Sequence, residues 1–128
     1  MVGMVDGGTG HGEFGPLERE VMEAVWAARA PVAVREVVDR LNEARPDPLA
    51  YTTVMTVMSR LADKRALERR KVGRGYVYEA TAPDAAGIAV KELLRRHGDV
   101  AVAHLVDEAR ADPELLDRLR RLLDDRDG

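Results

Sequence analysis

The tightest constraint on this chain lies in residues 49–82, where a helical apolar stripe gives way to two short β-prone runs. Val54, Val57, Met58 and Leu61 recur at i, i+3, i+4 and i+7, the spacing that lines one side of an α-helix. Leu67–Val72 and Tyr76–Ala80 then flank Gly73-Arg74-Gly75, and β-prone runs around a glycine-rich turn predict a hairpin.

The residues before this block supply two more helices. Pro16 is placed as the first residue of a helix, with Glu18 and Glu20 suited to its dipole, and Leu17, Val21 and Val25 with Met22 and Trp26 face inward. Ala30-Pro31 ends it, and Pro31-Val32-Ala33 is extended and apolar, enough for a one-rung strand. Val34, Val37, Val38 and Leu41 mark a second helix; Asn42–Pro48, with two prolines in three residues, is a loop. The third helix is expected over Leu49–Lys64. The order helix-strand-helix-helix-strand-strand describes a winged helix-turn-helix, whose third helix enters the major groove while the hairpin lies along the backbone. The fold class expected is mainly α with a small β-hairpin.

The outer side of the third helix carries Thr52, Thr53, Thr56, Ser59, Arg60, Asp63 and Lys64. Threonine is a mediocre helix former, so three in five residues is unusual. Short hydroxyls beside a basic residue suit phosphates or base edges; a polar face that tolerates threonine accounts for the same residues. The hairpin adds Arg69, Arg70, Lys71 and Arg74 within six residues, and one-sign clustering favours an anionic partner. The net charge of -3 hides this, because residues 49–82 hold seven Lys/Arg against three Asp/Glu, a local +4. Charges that reach phosphates matter here, not the whole-chain sum.

Residues 83–128 read as helices only. Asp84 is placed to cap one running to about His97, Gly98-Asp99 breaks and recaps, and Asp112-Pro113-Glu114 starts another. Leu93, Leu94 and Leu105, then Leu115, Leu116, Leu119, Leu122 and Leu123, give apolar stripes that three short helices cannot bury alone, so a second copy is the expected cover. The domains expected are a glycine-rich mobile tail over 1–15, the winged helix over 16–82 and a helical dimerisation region over 83–128.

Several function classes drop out. There is no cysteine, hence no disulfide, thiolate metal site or cysteine nucleophile, which fits a reducing, cytoplasmic compartment. No apolar run is long enough to span a bilayer, so no membrane insertion is expected, and the first fifteen residues lack the marks of a secretory signal. Gly10-His11-Gly12-Glu13-Phe14-Gly15 matches a dinucleotide fingerprint, yet no strand precedes it. His104 and Glu108 share a helix face near Asp107 and His97, a weak start for a metal site at best. No phosphate loop or nucleophile motif is present. Neither enzyme activity nor a cofactor is expected.

Within residues 17–82 the chain resembles the penicillinase-repressor family of bacterial transcription factors, the BlaI/MecI/CopY type. Leu17–Met22 with Val25-Trp26, Val34–Val37, Ala50–Leu61 and Gly73–Tyr78 carry the likeness in order and spacing. The resemblance implies a homodimeric repressor that occludes a double-stranded operator with TACA and TGTA elements. By position, Thr52, Thr53, Thr56 and Arg60 would lie in or beside the major groove. Tyr51, Lys64, Lys71 and Arg74 would grip phosphates, with Arg35 a further candidate. The copper-responsive members' cysteine motif is missing. The β-lactam-responsive members answer to a membrane sensor whose signalling leads to cleavage at an Asn-Phe bond; the sole Asn42 and sole Phe14 are far apart here, which leaves the inducing signal open. A winged-helix module docking on an acidic protein, and a direct ligand or metal sensor built on residues 97–108, are the alternatives.

Overall fold

A computed structural model describes residues 14–127. The expected tail, with His11 and most of the Gly10–Gly15 fingerprint, lies outside the described residues except for Phe14 and Gly15. Helices α1 (Pro16–Ala28), α2 (Val34–Asn42) and α3 (Tyr51–Asp63) precede strands β1 (Leu67–Val72) and β2 (Gly75–Ala80), and α4 (Ala85–His97), α5 (Asp99–Ala111) and α6 (Pro113–Asp127) follow. The chain divides into two compact units, with the boundary between Ala89 and Val90. The first unit is a winged helix-turn-helix.

Its helices start where side chains replace missing backbone partners. Pro16 opens α1, and Glu18 accepts the Gly15 N–H at 3.1 Å; Glu36 accepts the Ala33 N–H at 2.8 Å in the same way at α2. Helix α3 begins at Tyr51, two residues later than its periodicity predicts. The reason is Asn42, whose Oδ1 accepts the Leu49 N–H at 2.8 Å while its Nδ2 donates to the Leu49 carbonyl at 3.1 Å. That paired contact holds Leu49 outside the helix, and Ala50, with φ -73° and ψ 149°, becomes the cap.

The core is one cluster of Val21, Met22 and Val25 from α1, Val37 and Val38 from α2, Val54, Met58 and Leu61 from α3, and Leu67, Tyr78 and Ile88. Tyr78 joins the parts. It faces Arg69 across the antiparallel hairpin, and on its other side it exchanges hydrogen bonds with Val32, 2.9 Å and 2.7 Å, the single rung expected at residues 31–33. Trp26 Nε1 donates to the Ala82 carbonyl at 2.9 Å, tying α1 to the chain leaving β2.

Between α3 and β1 the chain turns on Arg65, which adopts φ 66°. The Ala66 N–H reaches back to the Leu61 carbonyl at 2.9 Å and the Arg65 N–H to Ala62 at 3.0 Å, a Schellman close with arginine where glycine is usual. Thr81 locks this corner by donating its N–H to the Ala66 carbonyl at 3.0 Å and its hydroxyl to the Arg65 carbonyl at 2.9 Å. At the far end of the hairpin, Val72 pairs with Gly75, so the turn is two residues, Gly73-Arg74. Gly73 takes φ 62° at the first central position, which favours glycine.

In α4, Asp84 accepts the Gly87 N–H at 2.8 Å, the cap read from the sequence. In the second unit, Gly98 at φ 51° closes α4, and Asp112 Oδ1 accepts the Glu114 and Leu115 N–H groups at 3.1 Å and 3.2 Å to start α6. Helices α5 and α6 pack on each other with Ala109 buried. Leu115, Leu116 and Leu119 are half-buried, whereas Leu93, Leu94, Leu105, Leu122 and Leu123 are exposed, Leu123 to 64%. Among the described residues no helix is long and apolar enough to cross a membrane.

Candidate nucleic-acid interface

Burial of Val54, Val57, Met58 and Leu61 fixes which way α3 faces. Thr52, Thr53, Thr56 and Arg60 consequently stand on the outer side and are exposed, as is Tyr51 at the first turn. All seven Lys/Arg of residues 49–82 are exposed as well. The helix and hairpin therefore bring Arg60, Lys64, Lys71 and Arg74 onto one compact unit without a buried charge among its described residues.

Two cations are steered by aromatic rings. The Arg35 guanidinium lies 4.9 Å from the centre of the Tyr51 ring, which places Arg35 of α2 beside the start of α3. Arg69 sits at the same distance from the Tyr76 ring on the hairpin. Lys71 faces Tyr76 across the ladder, and Arg74 occupies the tip beside Gly73. Both exposed tyrosines thus act as platforms that hold a guanidinium at the surface.

Lys64 differs from the rest of the predicted phosphate-binding set. Its ammonium is 2.8 Å from the Glu18 carboxylate at the start of α1, a partner 46 residues away. Burial pushes the Glu18 carboxyl up, but hydrogen bonds from Lys64 and the Gly15 N–H, together with the charges of Lys64 and Arg60, hold it below its ordinary value of 4.5. The pair ties Lys64 of the α3 end to the start of α1. A second ion pair, Arg45 to Glu20 at 2.8 Å, ties the loop before α3 to α1.

Sequence reasoning missed two residues here. The sequence marks Glu18 only as a helix-start acid, and nothing local signals its reach to Lys64. Met55 falls outside the i, i+3, i+4, i+7 stripe, the one signal that could have found it; it is 39% exposed beside Thr52, Thr56 and Ser59. In the second unit, His97, His104 and Glu108 line an apolar groove of about 430 Å³ with Leu93, Val100, Ala101 and Leu105. Among the described residues, no three His, Asp or Glu side chains come together as a metal site.

Residues 14–125 match the family model described as penicillinase repressor, so the match runs through α6. Proteins named transcriptional regulator BlaI from two Mycobacterium tuberculosis strains, CDC 1551 / Oshkosh and H37Rv, are each 38% identical over 117 residues, covering 86% of this chain and 82% of theirs. The solution structure of the DNA-binding domain of the repressor BlaI superposes with a TM-score of 0.50 at 26% identity, covering 59% of this chain and 89% of that domain. The hsRosR-S4 complex structure shares the fold, with a TM-score of 0.51 at 11% identity over 88% of this chain and 89% of the other. With a family model that spans all but the ends of the sequence, the chain belongs to the penicillinase-repressor family.

Proposed function

We propose that this protein is a DNA-binding transcriptional repressor that acts as a homodimer on a palindromic operator with TACA and TGTA elements, without enzymatic activity, and leaves it on an inducing signal. The observation that carries this reading is the outer side of α3, where exposed threonines and Arg60 stand beside a basic hairpin on a rigid core. Thr52, Thr53, Thr56 and Arg60 meet base edges in the major groove, and Arg35, Tyr51, Lys71 and Arg74 hold the phosphates on either side. Lys64 stands beside them but is held back by its pair with Glu18. Residues 16–82 form the reading domain, and residues 83–128 pair two copies through Leu93, Leu94, Leu105, Leu115, Leu116, Leu119, Leu122 and Leu123. An operator-bound protein of this kind works in the compartment that holds the genome, the cytoplasm.

The salt dependence follows from the charges. Arg35, Lys71 and Arg74 give six phosphate contacts per dimer, and each releases about 0.9 of a counterion, so log K should fall against log salt with a slope of about -5. The test is an anisotropy titration of a labelled TACA…TGTA palindrome at several salt concentrations, beside a scrambled duplex. Tight, salt-dependent binding with preference for the palindrome is expected. Weak binding equal on both duplexes, by protein shown to be folded and dimeric, would overturn the operator reading and favour an acidic protein partner.

A further inference from the structure

We propose that Met55 is a specificity-determining residue that packs against the C5-methyl group of one thymine in each half-site. The inference rests on the DNA-binding reading above and adds to it a base and an atom. In the first unit, the exposed large apolar residues among those described are Tyr51, Met55, Val72 and Tyr76, and all four lie on α3 or the hairpin. Tyr51 and Tyr76 are accounted for by the guanidinium groups stacked on them. Met55 has no such role, and it is left 39% exposed one residue from Val54 and three from Met58, both fully buried.

Position on the helix says what it faces. At about 100° per residue, Thr52, Thr56 and Ser59 lie along the middle of the outer side, with Arg60 and Lys64 to one flank and Met55 to the other. A helix laid in the major groove with its threonines inward would set Arg60 and Met55 at similar angles on either side of that middle, so that both reach base edges, with Lys64 farther out toward the phosphates. The groove floor presents donors and acceptors at every base pair and a single kind of apolar group, the thymine methyl. Methionine is unbranched and polarizable, with three rotatable bonds, so it can follow that methyl without a fixed rotamer. No other chemistry in the groove complements it.

Replacing thymine by deoxyuridine removes this methyl and keeps every hydrogen-bonding group, which makes it a clean probe. The full-length protein would first select its preferred duplex from a random-sequence pool, and each thymine would then be replaced in turn, symmetrically in both half-sites. Loss of one buried methyl-sized group is worth roughly fourfold per half-site, so about fifteenfold for the pair. We expect that loss at one thymine position for the wild-type protein and none at that position for Met55→Ala, which should itself bind the parent duplex about fifteenfold more weakly. Arg74→Ala, in contrast, should keep the uracil sensitivity while binding every duplex less well. A flat uracil scan for the wild type, or an unchanged sensitivity in Met55→Ala, overturns the assignment while leaving the repressor reading standing. Failure to select any preferred duplex overturns both.

Discussion

Asn42 is the residue on which the position of α3 turns, and removing its side chain gives a sharp test. Asn42→Ala deletes two hydrogen bonds, at 2.8 Å and 3.1 Å, and leaves both polar backbone groups of Leu49 without their partner in a half-buried site. At about 1 kcal/mol for each neutral bond, the loss should be about 2 kcal/mol. For a domain of this size that lowers Tm by roughly 8–16 °C. Urea and thermal unfolding followed by fluorescence suit the question, since the sole tryptophan, Trp26, reports on the first unit. Asn42→Asp refines the test. Its carboxylate still accepts the Leu49 N–H but turns a second oxygen toward the Leu49 carbonyl, so near neutrality it should be no better than Asn42→Ala. That repulsion raises the carboxyl's folded pKa above an unfolded value of about 3.9. The gap to wild type should therefore narrow as pH falls through the raised value and the new O–H donates to Leu49. An Asn42→Ala variant within about 0.5 kcal/mol of wild type, or an Asn42→Asp variant that matches wild type at neutral pH, would refute the clamp.

Three further substitutions have expected outcomes. The lowered Glu18 pKa means that its ion pair stabilises fully above pH 4.5 and fades as pH falls through the folded value; Glu18→Gln should thus cost under about 1 kcal/mol near neutrality, Lys64 being half exposed, and the difference should shrink in acid unfolding curves. The same substitution releases Lys64 and should steepen the salt slope on DNA by about 2 per dimer in the anisotropy titration. Arg74→Ala should flatten that slope by about 2 per dimer and weaken operator and scrambled duplexes by the same factor. Gly87→Ala should destabilise although alanine is the better helix former, because the new Cβ would lie 2.9 Å from the Ala82 Cβ. Its net loss, roughly 1–2 kcal/mol by urea unfolding, reflects overpacking that exceeds the helix-propensity gain.

Much of the architecture was legible because the core is periodic. The stripe Val54, Val57, Met58, Leu61 is buried as its spacing predicts, and the glycine turn closes the hairpin where two β-prone runs meet. Legibility ended where contacts join residues far apart in the chain. Helix α3 starts late because a side chain seven residues before Leu49 holds that residue, and Lys64, a free cation by its sequence position, is held by Glu18 from another helix. Neither link leaves a local pattern. Met55 is hard to read for another reason: a methionine gives no local sign of exposure, and only its angle around the helix sets it apart. In the second unit, Leu115, Leu116 and Leu119 are partly covered by packing within α5 and α6, while Leu122 and Leu123 of the same stripe stay exposed.

The corner at Arg65 separates shape from vocabulary. Main-chain bonds from Ala66 and Arg65 back into α3, with Thr81 closing over them, set the bend between helix and hairpin with little recourse to the outward side chains. Thr52, Thr53, Met55 and Thr56 are consequently exposed and spared that duty, and substitutions there should leave the scaffold's geometry intact. Such a surface can be rewritten by mutation one position at a time without passing through unfolded intermediates. A lineage of duplicated genes built on this frame would diverge in what it reads well before it diverged in how it folds.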